Sequence, residues 1–222
     1  HETMGSSGNG LAPVSAAHSA IGMAEMLAHE IKNPLAGITG AAQFLAMSLP
    51  PKNHEMTDLI VEESKRIVAL LDQVEQFGDL TPPNCAEVNI HDVLDQAARS
   101  ATFGFAGDIQ ISKNYDPSLP NVWADADQMV QVFLNLIKNA CEALGDKGEI
   151  SLRTFYDPNL RFVLPDSHGQ RLPLHVDITD NGPGLLEALA KHVFDPFVSS
   201  KSNGKGLGLA LVSKIVTQHN AW

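Results

Sequence analysis

The sequence predicts two dissimilar domains, a helical hairpin followed by an α+β sandwich. Three observations carry this. Apolar residues keep a heptad spacing through the first third of the chain. The run Thr81-Pro82-Pro83-Asn84 is then a strong helix stop. Beyond it, short alternating segments interleave with amphipathic ones, the pattern of mixed strands and helices.

The first helix carries Ile31, Leu35, Ile38, Ala42, Leu45 and Leu49, spaced 4, 3, 4, 3, 4, and Leu49-Pro50-Pro51 ends it. The second runs from about Glu55 to Asp79. Ile60, Ile67 and Val74 share one heptad position, while Met56, Leu70 and Phe77 share another that Glu63 interrupts. A hairpin of only about 60 residues cannot bury both seams alone. Two hairpins pairing into a four-helix bundle solve this, which predicts a homodimer. Residues 1–13, with the Gly/Ser-rich HETMGSSGNG, read as a tag or linker remnant outside the fold. The hairpin domain is assigned to 14–83 and the second domain to 84–222.

In the second domain a helix is predicted from Ile90 to about Thr102 and a strand near Asp108–Tyr115. A short strand at Asn121–Ala124 precedes a helix from about Asp127 to Leu144. Strands follow at Glu149–Tyr156 and Leu172–Thr179, and a last helix starts near Gly206. Asp157 to Arg171 reads as a long hairpin loop. Helices are expected on one face of the sheet.

Composition excludes several classes. Fifteen Lys and Arg against 26 Asp and Glu give a net charge of −11, which argues against nucleic acid as a partner. No stretch approaches the roughly 18–20 apolar residues of a membrane span, and no signal peptide is evident, so a cytoplasmic location is expected. Only Cys85 and Cys141 occur, with no zinc-like spacing, and Cys141 is expected in the core.

With Leu35 at heptad position a and Ile31 at d, His29, Glu30 and Asn33 fall at b, c and f, all on the outward face. Pro34 removes a helix hydrogen bond and crowds the carbonyl of Glu30. It is read evenly as a plain kink or as a bend beside a reactive histidine. On the helix after Asp127, one face carries Asn135, Lys138, Asn139 and Glu142, which taken alone suit a solvated surface. Asp180-Asn181-Gly182-Pro183-Gly184 follows a strand and is rich in turn formers. Gly204-Lys205-Gly206-Leu207-Gly208 opens the last helix, where glycines and unpaired N–H groups suit phosphate. Neither a Walker A frame nor a Rossmann fingerprint fits these glycines.

The run His29-Glu30-Ile31-Lys32-Asn33-Pro34-Leu35 resembles the H-box of two-component sensor histidine kinases. The motifs that follow it, the paired asparagines, Asp-Asn-Gly-Pro-Gly, Phe194-Asp195-Pro196-Phe197 and Gly-x-Gly-x-Gly, occur in the order of that family's N, G1, F and G2 boxes. The resemblance covers Ala17 to Trp222 and implies an ATP-binding α/β sandwich of the GHKL type. It implies that His29 accepts phosphate from ATP, with Glu30 as acid/base partner and Asn33 orienting water in the reverse reaction. Asn139 would hold Mg²⁺, with Asn135 a weaker second candidate, and Lys138 would meet the phosphates. Asp180 would accept from the adenine amino group, with Gly182 and Gly184 allowing close approach. Gly204, Gly206 and Gly208 would wrap the phosphates. Phe194, Phe197 and Lys201 would contact ATP from the lid between about Val193 and Lys205, although the two phenylalanines suit ordinary core packing nearly as well.

Within the family the chain is most similar to the nitrogen-regulation (NtrB) kinases, through Gly22–Ala28, Gly40-Ala41-Ala42-Gln43, Leu172-Pro173-Leu174 and Phe194–Ser199. That implies an NtrC-like response regulator receiver domain as partner and a PII signalling protein upstream. Two departures stand out. The PAS sensor domain of such kinases is absent, and the chain stops at Trp222, before a last strand, so a truncated catalytic domain is expected. A different GHKL ATPase or serine kinase would share the nucleotide motifs, and a degenerate scaffold would keep only regulator docking.

Overall fold

The computed structural model describes residues 12–79, 81–159, 161–162, 170–171, 173–185, 187–199 and 206–221. The chain divides into two compact units, His1–Leu80 and Thr81–Trp222.

In the first unit α1 (Ala12–Ser48) and α2 (Glu55–Gly78) are joined by one 3-10 turn at Pro51–Asn53. The Pro pair that stops α1 supplies this turn, because proline tolerates the first helical position. A His54 ring nitrogen lies 3.0 Å from the Leu49 carbonyl, and Thr57 Oγ1 donates to the His54 carbonyl at 2.7 Å, which fixes the corner. The helix α1 continues through Pro34.

The packing inside the hairpin differs from the apolar rows expected on the second helix. On α1 the buried residues among those whose side chains are described are Ala28, Leu35 and Ala42, one every seven. Opposite them α2 buries Thr57, Ser64 and Gly78, again on one heptad position. Small side chains on the facing rows let two helices approach closely, so the seam is set by size rather than by hydrophobicity. The second seam stays at the surface of the single chain. Ile31, Ile38 and Leu45 of α1 are exposed, as are Ile60 and Ile67 of α2.

In the second unit β1 (Ala86–Val88) pairs antiparallel with β3 (Val122–Ala124), and β1 was not foreseen. The main sheet runs β2 (Gln110–Asn114), β4 (Glu149–Tyr156) and β7 (Leu174–Asp180), with β2 parallel and β7 antiparallel to β4. Ile150, Leu152 and Thr154 of β4 alternate inward, the period of a strand with one covered face. Against them pack α3 (Ile90–Gly104), α4 (Ala126–Leu144) and α6 (Gly208–Gln218). Leu94, Ile137, Ile150 and Leu152 are the largest fully buried side chains, each worth about 1.5–3 kcal/mol. Cys141 is buried in this core, and burial raises its thiol pKa.

Asn89 caps α3 by accepting from the His91 N–H, and Asp125 caps α4 by accepting from the Asp127 and Gln128 N–H groups. The backbone N–H of Asp125 in turn donates to His219 Nε2 at 3.0 Å, so the end of α6 is tied to the start of α4. The expected long loop after Asp157 contains a two-residue ladder, β5 (Arg161–Phe162) with β6 (Gln170–Arg171), and its residues 163–169 lie outside the described ones. A four-residue helix, α5 (Glu187–Ala190), lies in the stretch expected as loop. Among the described residues no helix is long and apolar enough to cross a membrane.

Candidate functional site

The first unit presents His29 on α1 with 72% of its side chain exposed, as its heptad position demands. Glu30 and Asn33 are exposed on the same helix. What the sequence did not reveal is the contribution of α2. Glu75 Oε1 lies 3.8 Å from His29 Nε2. Lys32 Nζ bridges to the other oxygen of Glu75 at 2.5 Å and to Asp72 Oδ1 at 2.6 Å. Hydrogen bonds to Asp72 and Glu75 raise the Lys32 pKa above that of an ordinary lysine. Asp72 and Glu75 stand one turn apart, so paired carboxylates on one helical face were the signal available in the sequence.

In the second unit Asn135 and the Phe197–Val198 backbone meet the residues around the start of α6. Its helix α4 buries Met129, Val132, Phe133, Ile137, Ala140 and Cys141, which leaves Asn135 and Asn139 half-buried and Lys138 exposed on another face. Asn135 Nδ2 donates to the Gln131 carbonyl at 2.9 Å, so the amide oxygen points the other way. A Cβ on Gly208 would stand 3.1 Å from that oxygen. The first turn of α6 therefore meets α4 at Asn135, and α6 begins without a side-chain cap. Unpaired N–H groups at a helix start suit an anion.

Just before it, Gly206 has φ +65°, and a Cβ there would lie 2.5 Å from the backbone of Phe197 and Val198. The Phe197 N–H donates to the Gly206 carbonyl at 2.9 Å. Phe197 itself has φ 65°, a conformation most side chains avoid. Phe194 and Phe197 are 49% and 73% exposed, so core packing does not account for either. Lys201 and Gly204 lie outside the described residues.

Asp180 ends β7 and is exposed. Its Oδ1 accepts from the Gly182 N–H at 2.9 Å, and a Cβ on Gly182 would press to 2.7 Å from that same oxygen. Gly184 takes φ +78°. Asn181 both accepts from the Glu149 N–H at 2.9 Å and donates its own N–H to the Glu149 carbonyl at 3.2 Å. It locks this turn to β4, a structural task that the motif alone did not disclose. Among the described residues no group of three His, Cys, Asp or Glu side chains could hold a metal ion. The amide oxygens of Asn135 and Asn139 instead suit a Mg²⁺ that takes most of its ligands from phosphate and water.

Comparison with known proteins identifies both domains. Residues 21–83 match the His Kinase A (phospho-acceptor) domain family, and residues 124–222 match the histidine kinase-, DNA gyrase B- and HSP90-like ATPase family. The sensory histidine kinase/phosphatase NtrB of Rhodobacter capsulatus is 62% identical over 208 residues, 94% of this chain and 59% of that protein. Its namesake from Rhizobium meliloti is 52% identical over 92% of this chain and 54% of its own length. That from Escherichia coli O157:H7 is 39% identical over 87% of this chain and 55% of its own length. The chain thus spans just over half the length of these relatives. Among solved structures, full-length ShkA in complex with AMPPNP superposes with a TM-score of 0.70 at 25% identity, over 88% of this chain and 40% of its own.

A phospho-acceptor hairpin followed by a GHKL-type ATPase domain defines the histidine kinase class. Within that class the chain belongs to the NtrB family of sensory histidine kinases.

Proposed function

We propose that this chain is the output core of a cytoplasmic sensor kinase, which phosphorylates His29 from Mg-ATP and passes the phosphoryl group to a response regulator. The observation that carries this reading is the exposed His29 on a domain followed, in the same chain, by a glycine-lined turn against Asn135. A neutral imidazole nitrogen attacks the γ-phosphorus of ATP, forming the P–N bond as the bond to the β,γ-bridging oxygen breaks and ADP leaves. Glu30, next to His29, accepts the ring proton as positive charge develops. On the donor side Asp180 holds the adenine amino group. Gly182 and Gly184 let the base approach, and Gly204, Gly206 and Gly208 surround the phosphates, which Lys138 and Lys201 also meet. Phe194 and Phe197 belong to the lid. Asn139, and secondarily Asn135, would hold Mg²⁺, which would neutralise charge on the transferring group.

The phosphoryl group then moves to an aspartate of an NtrC-like receiver domain. The reverse output, hydrolysis of the regulator's acyl phosphate, uses Asn33 to orient water. A PII signalling protein is the proposed upstream regulator. The exposed row Ile31, Ile38, Leu45, Ile60 and Ile67 is the face that pairs two hairpins into a homodimer. Incubation with radiolabelled Mg-ATP tests the chemistry. The label should be acid-labile and base-stable, as a phosphoramidate is, and an acid-stable label would point to a serine kinase instead.

A further inference from the structure

Helix α6 meets α4 at both of its ends. At the start, a Cβ on Gly208 would stand 3.1 Å from Asn135 Oδ1. At the far end, the half-buried His219 ring accepts the Asp125 backbone N–H through Nε2 at 3.0 Å. The Asp125-to-Asn135 stretch of α4 and the Gly208-to-His219 stretch of α6 each rise about 15–17 Å at about 1.5 Å per residue. The two helices thus run antiparallel, with matched contacts at the two ends of the shared length. From these contacts we infer that His219 is a positioning residue for the nucleotide site: it sets the axial register of α6 on α4, and so where the glycine-bearing start of α6 stands against Asn135. The inference rests on the reading of that start as the phosphate-holding segment.

Both ring nitrogens have partners that cannot exchange roles. Nδ1 lies 2.8 Å from the Ile215 carbonyl, which only accepts, and Nε2 faces a backbone N–H, which only donates. These partners select the neutral ring with its proton on Nδ1. Neither side of the contact is free to drift. The Asp125 carboxylate accepts from three N–H groups, those of Asn84, Asp127 and Gln128. On α6, Asn220 takes φ 51° and the Ala221 N–H returns to the Val216 carbonyl at 3.0 Å, a Schellman end that fixes the backbone bearing the ring. Leu211, Val212 and Ile215 bury α6 in the core, but apolar burial is non-directional and opposes sliding along the axis only weakly. A hydrogen bond, lost within about 1 Å of displacement, opposes it directly.

The test uses the full chain and compares the parent with His219→Asn and His219→Gln. Both replacements are neutral amides, but only the longer glutamine places an oxygen near the position of Nε2. Thermal melts establish that each variant is folded, and His219→Ala replaces His219→Asn if the latter is not. His219→Asn should bind Mg-ATP about ten-fold more weakly, a usual scale for coupling between separated sites. Its affinity for adenosine, which has no phosphate to present to α6, should match the parent's. His219→Gln should recover most of the ATP affinity. In autophosphorylation the loss should fall on the KM for ATP and spare kcat. Equal ATP affinity in parent and His219→Asn overturns the assignment, as does a glutamine variant no better than the asparagine one. A proportionate loss of ATP and adenosine binding also overturns it, because that marks a merely structural residue. In ¹⁵N-histidine spectra, the ring signal missing from His219→Gln should carry its proton on Nδ1, and a proton on Nε2 is again contrary. No ATP binding by the parent contradicts the nucleotide-site reading instead, while the ring spectrum reports on His219 with no ligand present.

Discussion

The backbone N–H of Phe197 donates to the Gly206 carbonyl at 2.9 Å, joining the Phe194-Asp195-Pro196-Phe197 turn to the residue two before α6. No room for a side chain exists at that junction, because a Cβ on Gly206 would stand 2.5 Å from the Phe197 and Val198 backbone. Gly206→Ala must therefore open the junction or twist a residue at φ +65°. The expected outcome is a loss of about 1–3 kcal/mol in domain stability by thermal melting. A fluorescent ATP analogue should also bind at least about ten-fold more weakly, a loss of about 1.4 kcal/mol. Tight binding by the variant would show that the junction is not part of the nucleotide site.

Asn139→Ala should act differently, since it deletes a ligand rather than distorting a turn. Calorimetric titration with ATP should show affinity that no longer rises on adding Mg²⁺, while the melting temperature stays near that of the parent because Asn139 is only half-buried. Retained Mg²⁺ dependence would move the ion to Asn135.

The exposed isoleucines of the hairpin predict an oligomeric state. Ile38→Glu on α1 or Ile67→Glu on α2 places charge in the proposed interface. Sedimentation should change from dimer to monomer over a range of micromolar concentrations. A dimer that survives both substitutions would place the contact elsewhere.

A pH-dependent prediction comes from the sandwich domain. Lys113 Nζ lies 2.8 Å from Asp95 Oδ1, and the Tyr115 hydroxyl donates to the same oxygen at 3.1 Å. The Lys113 hydrogen bond is the larger cause holding the Asp95 carboxyl below its usual range. A folded-state pKa below the unfolded one adds stability that is full above the unfolded value, near 4, and is lost as pH falls through the folded value. The pair is partly solvent-exposed, so Lys113→Met should cost under about 1 kcal/mol at pH 7. Denaturant titrations of parent and variant should converge below about pH 4. A difference that persists into acid would assign the effect to packing of the lysine stem.

Much of this architecture is legible in the amino-acid order. Helix α4 and strand β4 fall almost where the apolar pattern puts them, because each buries one continuous face in the same core. The outward setting of His29 follows from the heptad frame alone. The α2 seam is not legible in the same way. Thr57, Ser64 and Gly78 are buried for their size, and a reading by hydrophobicity passes over them in favour of Ile60 and Ile67. Strand β1 has only three residues, too few for a period to show. Glu75 meets His29 only because the hairpin brings distant segments together, so no local motif announces it.

The most direct measurement is phosphorylation of the chain beside His29→Gln, each incubated with radiolabelled Mg-ATP and then with an NtrC-like receiver domain. His29 is an exposed side chain outside both packing rows, so the substitution should leave folding and nucleotide binding intact. The expected result is acid-labile label on the parent, its transfer to a receiver aspartate, and no label on the variant. Label that persists on His29→Gln would contradict the account.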